Sequence, residues 1–197
     1  YVTVATTRPE TMLGDTAVAV NPNDPNASAL VGKMVRLPIV DRLIPIIADD
    51  YVVMADPDSD DTKARFASGF LKVTPAHDPN DWDIGLRHDL PVINVMAPDA
   101  TISSNYGWED ISDESQKFLG LSRDEARSAI VDWFRENNLL ADIRPYAHSV
   151  GHSYRSHVPI EPWLSSQWYV AVTDDKLRGS ALRAQDSGQS PALPEDV

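Results

Sequence analysis

The first hundred residues alternate between short apolar runs and turn-forming residues, and this alternation limits the fold more than any other feature of the sequence. Runs rich in Val, Ile and Thr are separated by Pro, Asn, Asp and Gly, which end strands and form turns. We expect strands at residues 2–6, 16–20, 34–39, 43–48, 51–55, 70–74 and 92–96. Many short strands at this spacing are typical of a β-barrel or a folded sheet.

Helix signals are concentrated in two places. Residues 122–137 open with Ser122 and Glu125 spaced as a capping box, and apolar residues then recur on one face. A shorter helix is expected to begin at Pro79, because Asp78 can cap it and proline suits the first helical position. Together the patterns predict an α+β fold with a β-barrel-like sheet and a few peripheral helices.

Charge and composition narrow the classes of function. The chain has 17 Lys and Arg against 30 Asp and Glu, a net charge of −13, which is the wrong sign for a surface that grips a nucleic-acid backbone. A nucleic-acid partner is therefore expected to touch the domain over a small area. The absence of cysteine excludes disulfides, thiolate nucleophiles and cysteine-ligated zinc.

The segment ATTRPETMLGDTAVAV, residues 5–20, places hydroxyl groups beside a guanidinium at a strand end. Pro9 ends the strand ladder, so Thr7, Arg8 and Thr11 lie around one turn. Hydroxyls donate and accept hydrogen bonds, whereas arginine only donates. The cluster suits a ligand with ester, ribose or phosphate oxygens. A threonine-rich strand followed by an ordinary proline turn is the other interpretation.

The segment KVTPAHDPNDWDIG, residues 72–85, combines a strand end with a helix start. Lys72 and Thr74 are two residues apart and so share one face of the strand. Asp78 and Asp81 are three apart at the helix start, where both carboxylates can approach one point. One could bind an ammonium group while the other accepts a hydrogen bond from a hydroxyl. Both could equally serve only to stabilise the helix N-terminus.

Taken together, these two segments closely resemble the editing insertion (connective polypeptide) of valyl-tRNA synthetases, which hydrolyses mischarged tRNA. The runs TRPETMLGDTAVAV and KVTPAHDPND favour the valyl family over the similar isoleucyl and leucyl enzymes. A third stretch, HSYRSHVPIEPWLSSQWYV at residues 152–170, resembles the place where that insertion returns to the catalytic body. The matching stretches follow the family's order along the chain.

The resemblance implies deacylation of threonyl-tRNA(Val), with threonyl-adenylate as a further substrate to consider. It implies that Asp78 holds the α-ammonium group and that Asp81 recognises the threonine hydroxyl. The implied catalytic set is completed by Lys72 and Thr74 near the ester, and the implied substrate-binding residues are Thr7, Arg8, Thr11, Phe66 and His77. The implied partners are the 3′-terminal adenosine and CCA end of tRNA(Val), the threonine moiety, and the catalytic domain of the same full-length chain.

The chemistry of ester hydrolysis fits these residue types. It needs a placed water and donors for the developing oxyanion more than a covalent nucleophile. The sequence contains no G-x-S-x-G elbow and no recognisable triad. It also lacks the H-I-G-H and K-M-S-K-S signatures of the family's ATP-using domain, so no cofactor is expected here, and ATP and Mg are expected only in the full-length enzyme. Whether His77, a pocket carboxylate or a tRNA hydroxyl guides the water stays open.

The chain is expected to divide into an editing core at residues 1–143, a return segment at 144–183 packed on the core, and a flexible linker at 184–197. The first residue is not Met, which suggests a fragment of a longer protein. Neither a signal peptide nor an apolar run of bilayer length is found, so a cytoplasmic location is expected.

Two other functions compete with editing. The first is metal-dependent phosphohydrolysis, because His77-Asp78 is similar to a metal-binding pair and because His148, His152 and His157 lie close together. That superfamily is helical and takes further ligands from other helices, whereas this chain is β-rich around the pair, so we expect no metal. The second is a module that binds the tRNA end without chemistry, which release of labelled threonine would distinguish from editing.

Overall fold

The computed structural model describes residues 1–187. The chain divides into two compact units, the first spanning Tyr1–Trp163 and the second beginning at Leu164. No helix within residues 1–187 is long and apolar enough to cross a membrane. The predicted boundaries between core, return segment and linker stay predictions, and residues 188–197 of the predicted linker lie outside the described residues.

The first unit contains an open four-stranded sheet with the strand order β2-β3-β1-β4. The strands are β1 Ala17–Val20, β2 Met34–Arg36, β3 Leu43–Ala48 and β4 Phe70–Val73. Strand β1 runs parallel to β3 and antiparallel to β4, whereas β2 runs antiparallel to β3. The strands predicted at these four places are therefore present: β3 has the predicted bounds, whereas β1, β2 and β4 are shorter than predicted.

Both predicted helices are present in the first unit, and the structure adds two short helices that the sequence analysis did not predict. The four helices are α1 Pro25–Ser28, α2 Thr62–Phe66, α3 Pro79–His88 and α4 Arg123–Glu136, with 3-10 segments at Pro9–Gly14 and Ser115–Phe118. The predicted capping box of α4 is formed by reciprocal hydrogen bonds between Ser122 and Glu125. In the second unit, a π-helical turn at Asp175–Gly179 leads into α5 Ser180–Asp186, which includes the first residues of the predicted linker.

Three predicted strands are absent, and at two of these places a nearby side chain accepts a hydrogen bond from a backbone amide. No strand forms at residues 2–6, 51–55 or 92–96. The Asp49 carboxylate accepts a hydrogen bond from the Tyr51 amide at 2.9 Å. The Asn94 side chain accepts one from the Met96 amide at 3.0 Å. Such side-chain acceptors offer the backbone an alternative to sheet pairing, which the apolar pattern does not reveal.

Strand β1 is buried on both faces, which anchors the residues that precede it. Val18 and Val20 pack into the larger apolar cluster, whereas Ala17 and Ala19 pack into a smaller one. All four side chains are at most 4% exposed. A one-residue slip would exchange the two valines with the two alanines, so the difference in their sizes fixes the register against β4.

Gly14 lies where the chain enters β1 and leaves no room for a side chain. A Cβ at this position would lie 2.8 Å from the Ile93 carbonyl oxygen and 3.3 Å from side-chain atoms of Thr74 and Val95. Because a backbone oxygen cannot easily move aside, we expect Gly14→Ala to lower the free energy of unfolding by roughly 1–3 kcal/mol. Urea denaturation would measure this loss. Gly151→Ala, whose Cβ would have its nearest neighbour at 3.8 Å, is the matched control, and equal losses would contradict the expectation.

Candidate functional site

The two segments that carry the candidate site residues, 5–20 and 72–85, meet at one edge of the sheet. Strand β1 begins where antiparallel β4 ends, since Ala17 pairs with Val73 and the Thr16 amide donates to the Val73 carbonyl at 2.9 Å. Asp15 and Thr74 therefore lie side by side although they are 59 residues apart in the chain. The strand register, rather than any local motif, assembles this part of the site.

A buried cluster of polar side chains occupies the edge. Asp15, Lys72 and Thr74 are each at most 7% exposed. Asp15 Oδ1 accepts hydrogen bonds from Lys72 Nζ at 3.2 Å and from Thr74 Oγ1 at 2.5 Å. Lys72 Nζ also donates to Thr74 Oγ1. Burial raises the pKa of Asp15, and the Lys72 ammonium opposes that rise. The structure brings the predicted Lys72 and Thr74 together and adds Asp15, which the sequence analysis did not single out.

The two aspartates at the start of α3 have different surroundings. Asp78 is the helix cap, and its Oδ1 accepts from the amides of Asn80 at 2.8 Å and Asp81 at 3.4 Å. Asp81 is 7% exposed, and its Oδ2 accepts from the Thr74 amide at 2.8 Å. Its Oδ1 has no hydrogen-bond partner within residues 1–187, yet it is not among the fully buried unpaired atoms. That oxygen is free to accept a hydrogen bond from a ligand.

The charge of Asp81 is set by competing neighbours. Burial raises the pKa of this carboxyl to about 6, and the carboxylates of Asp78 and Asp15 add to the rise. The Lys72 ammonium and the Thr74 amide act in the opposite direction. At neutral pH the group is therefore mostly ionised, although it is shielded from solvent, and such a carboxylate is a strong acceptor for a hydroxyl.

His77 lies in the interior. Its side chain is 1% exposed, and its Nε2 accepts a hydrogen bond from the Val95 amide at 3.1 Å. In a neutral ring the proton therefore sits on Nδ1, which has no partner within the described residues. Burial, together with the cations Arg8 and Lys72, lowers the pKa of His77 to about 3. The ring has no free lone pair with which to take a proton from water, and its predicted part in substrate binding stays a prediction.

We expect the His77 imidazole to keep one neutral form, protonated on Nδ1, from about pH 5 to about pH 8. The reason is the acceptor role of Nε2 toward the Val95 amide, which a second proton would break. Long-range ¹H–¹⁵N NMR would report both ring nitrogens, and the spectrum of His77→Gln would identify the signal by its loss. Nitrogen shifts that move through this pH range as an imidazolium forms would contradict the expectation.

Arg8 is held by acceptors from separate parts of the chain. Its Nε donates to Glu10 at 3.2 Å and one terminal nitrogen donates to the His77 carbonyl at 3.0 Å. The other terminal nitrogen contacts the Glu161 carboxylate. Thr11 is 2% exposed, and its hydroxyl donates to the Arg8 carbonyl at 3.0 Å. The predicted Arg8, Thr11 and His77 are thus joined directly.

Glu10 anchors the arrangement around Arg8, and the sequence analysis missed it. It is fully buried and accepts hydrogen bonds from Arg127 of α4 at 3.0 and 3.1 Å as well as from Arg8. Glu161, also missed, accepts a further hydrogen bond from Arg123 at 3.4 Å. The one available signal was the place of Glu10 between Arg8 and Thr11, inside the run already assigned to the pocket.

The remaining predicted residues, Thr7 and Phe66, form no side-chain hydrogen bond with this cluster within residues 1–187. Thr7 is exposed, and no side-chain hydrogen bond within residues 1–187 joins it to Arg8 or Thr11. The Phe66 ring, at the end of α2, meets Tyr146 edge-on with 5.3 Å between ring centres. The described residues contain no group of three or more His, Asp or Glu side chains arranged to hold a metal ion, and His148, His152 and His157 are exposed.

Comparison with known proteins identifies relatives of this sequence. No protein-family model matches the chain. A valine–tRNA ligase of Protochlamydia amoebophila is 52% identical over 98% of the chain, which covers 18% of that protein. A valine–tRNA ligase of Geobacillus stearothermophilus is 48% identical over 99% of the chain, which covers 20% of that protein. The chain thus spans about a fifth of the length of these relatives.

The fold also has a counterpart among solved structures. A crystal structure described as GlLeuRS-CP1 superposes with a TM-score of 0.50 and covers 74% of this chain and 84% of that chain. The sequence identity is 16%, so the likeness concerns the fold alone. The predicted α+β fold with a few peripheral helices is confirmed: it is similar to the fold of the GlLeuRS-CP1 structure, and its four-stranded sheet is open.

Proposed function

We propose that this chain, which matches 18–20% of the length of valine–tRNA ligases and has a fold similar to that of a CP1 structure, is the editing segment of such a ligase and hydrolyses the ester of threonine wrongly attached to valine-specific tRNA. The substrate is the 3′-terminal adenosine of the CCA end carrying that threonine. The observation that carries the proposal is Asp81, a shielded carboxylate with one oxygen fixed by the Thr74 amide and the other without a partner in the described chain.

Selection of threonine needs a polar group, because valine and threonine have nearly the same shape. Valine–tRNA ligase is itself the usual example of this limit, since an apolar pocket rejects threonine only ~100-fold. A second site must select in the opposite sense. The free oxygen of Asp81 accepts the hydroxyl of threonine, whereas a bound valine would bury that carboxylate without a partner, at a cost of about 1–3 kcal/mol or more.

The other charged groups fit the remaining parts of the substrate. Asp78 caps α3 through Oδ1 and is half-buried, so its carboxylate can also take the α-ammonium group of the amino acid. The Lys72 ammonium supplies a positive charge where the ester oxyanion develops. The attacking water is held between these polar groups and the ester, and His77 does not act as its base, since Nε2 is bound to the Val95 amide.

The contact with tRNA is confined to its end in this proposal. The net charge of −13 disfavours an extended contact with a nucleic-acid backbone. Arg8 is a partly exposed cation beside the cluster, and it is suited to a single phosphate or ribose oxygen. Binding of the rest of the tRNA then falls to other parts of a complete ligase.

Release of labelled threonine from threonyl-tRNA(Val), compared with release of valine from valyl-tRNA(Val), tests the proposal. We expect threonine to be released faster by ~10-fold or more. The assay is run at several tRNA concentrations, since the acidic chain is expected to bind tRNA weakly. Binding of the CCA end without release would favour a non-catalytic module, and equal release of both amino acids would remove the case for selection by Asp81.

A further inference from the structure

We propose that Asp15 is a positioning residue for the hydrolysis, which orients the Lys72 ammonium and fixes the hydroxyl of Thr74. The inference rests on the proposed function, because it gives Asp15 a role through two residues of that same site. Asp15 lies at the end of the 3-10 segment Pro9–Gly14 and immediately before Thr16 and strand β1. Nothing in its local sequence pattern distinguishes it from a turn residue.

The hydrogen bonds of the Asp15 side chain are confined to the site. Within the described residues, its carboxylate accepts hydrogen bonds only from Lys72 Nζ at 3.2 Å and Thr74 Oγ1 at 2.5 Å. Its contacts with the rest of the fold are made by the backbone: the amide donates to the Met12 carbonyl at 3.1 Å, and the carbonyl accepts from Arg42 at 2.8 Å. An isosteric substitution of the side chain therefore spares the contacts that shape the loop.

One of the three N–H donors of the Lys72 ammonium remains available to a substrate. An ammonium group has three N–H donors. Lys72 directs one to Asp15 and one to the Thr74 hydroxyl, and no other acceptor contacts it within residues 1–187. The Thr74 hydroxyl in turn donates its own proton to Asp15. One ammonium donor of fixed direction remains, which is what stabilisation of an oxyanion requires.

Because the site is buried, the Lys72 ammonium needs a carboxylate beside it. Lys72 and Asp15 are both at most 7% exposed, and a buried ammonium without a paired anion is strongly unfavourable. The other charged or titratable groups that interact with Lys72 are the Asp81 carboxylate and the neutral His77 ring. Asp81 keeps one oxygen for the ligand in the proposed function, so Asp15 is the anion dedicated to Lys72.

Asp15→Asn keeps the shape and the acceptor oxygen while removing the charge. We expect kcat for threonine release to fall ~10- to 100-fold, because the Lys72 donor is no longer held toward the developing oxyanion. KM is expected to change less than ~2-fold, because the lost interaction is made in the transition state rather than in the bound substrate. Asp132→Asn, which neutralises an exposed carboxylate on α4, is the matched control and should change neither quantity.

A double-mutant cycle separates positioning from general damage. If Asp15 acts through Lys72, adding Asp15→Asn to Lys72→Met changes release less than ~2-fold. An equal loss from Asp15→Asn in both backgrounds would overturn the proposal, and so would a loss that appears in KM alone. Circular dichroism checks folding, and Asp15→Ser replaces Asp15→Asn if the latter unfolds. A wild-type chain that releases no threonine overturns the proposed function, whereas release that Asp15→Asn leaves unchanged overturns the role of Asp15 alone.

Discussion

Asp81→Asn is expected to remove most of the preference for threonyl over valyl esters. Asparagine keeps an oxygen for the Thr74 amide, so the contact at 2.8 Å can persist. The group that faces the ligand is then a neutral amide, which binds a hydroxyl less strongly than a carboxylate and is less costly to bury against valine. We expect the ratio of threonine to valine release to fall ~10- to 100-fold.

The same substitution is expected to stabilise the chain at neutral pH. The pKa of Asp81 is raised to about 6 in the folded chain from 3.8, so its contribution to stability is fully present below pH 3.8 and is lost as the pH rises through 6. Asp81→Asn does not ionise and avoids this loss. The gain in the free energy of unfolding is expected to be roughly 1–3 kcal/mol above pH 7 and to vanish below the unfolded pKa.

Two measurements decide the prediction for Asp81. Competitive deacylation of threonyl- and valyl-tRNA(Val) gives the ratio of the two rates, and urea denaturation at several pH values gives the stability difference from the wild type. Asp83→Asn, an exposed position on the same helix, is the control for loss of a carboxylate. An unchanged release ratio would refute the sensor role. A stability gain that persists below pH 3.8 would refute the assigned cause.

Lys72→Met is expected to produce the largest loss of stability in this site. The methionine side chain is as long as the apolar stem of Lys72, but it leaves the Asp15 carboxylate buried beside Thr74 without its ion-pair partner. Breaking a buried ion pair from one side costs about 3–5 kcal/mol. Burial already raises the pKa of Asp15, and removal of the opposing charge raises that pKa further. Threonine release is expected to fall as well, because the oxyanion loses its ammonium donor.

The pH dependence of the stability loss distinguishes an unpaired Asp15 carboxylate from a loss of packing. Since the folded pKa of Asp15 lies above its unfolded value, the stability of Lys72→Met is highest in acid, where the carboxyl is neutral, and falls as the pH rises through the raised pKa. Relative to the wild type, urea denaturation at about pH 5 and about pH 8 should show the larger deficit at the higher pH.

The control variants for Lys72 follow from the structure. Lys63→Met removes an exposed lysine on α2 and should have little effect at either pH. Adding Asp15→Asn to Lys72→Met should restore much of the stability without restoring threonine release, because the buried charge is gone but the donor is still missing. A deficit that is equal at both pH values, and that Asp15→Asn does not relieve, would assign the loss to packing instead.

The local elements of the fold could be predicted where a few neighbouring residues decide them. Ser122 and Glu125 cap α4, and Asp78 caps α3, as their spacing indicates. The strand expected at residues 51–55 fails for an equally local reason, since Asp49 takes the Tyr51 amide. An apolar pattern reports which side chains avoid water, but it does not report which acceptor each amide will choose.

The sequence by itself determined the caps, the β-rich core and the two segments that carry Arg8, Lys72 and Asp81, because each depends on residues within a few positions of one another. Only the tertiary structure decided that Asp15 forms hydrogen bonds with Lys72 and Thr74, and that Glu10 accepts from both Arg8 and Arg127. It also decided that the Val95 amide donates to Nε2 of His77. Apart from the contact of Glu10 with Arg8, which are two positions apart, these contacts join residues 18 to 117 positions apart. They depend on the register of β1 against β4 and on how the loops and α4 pack beside it. Burial then fixes the charges, because a side chain removed from water depends on its partners.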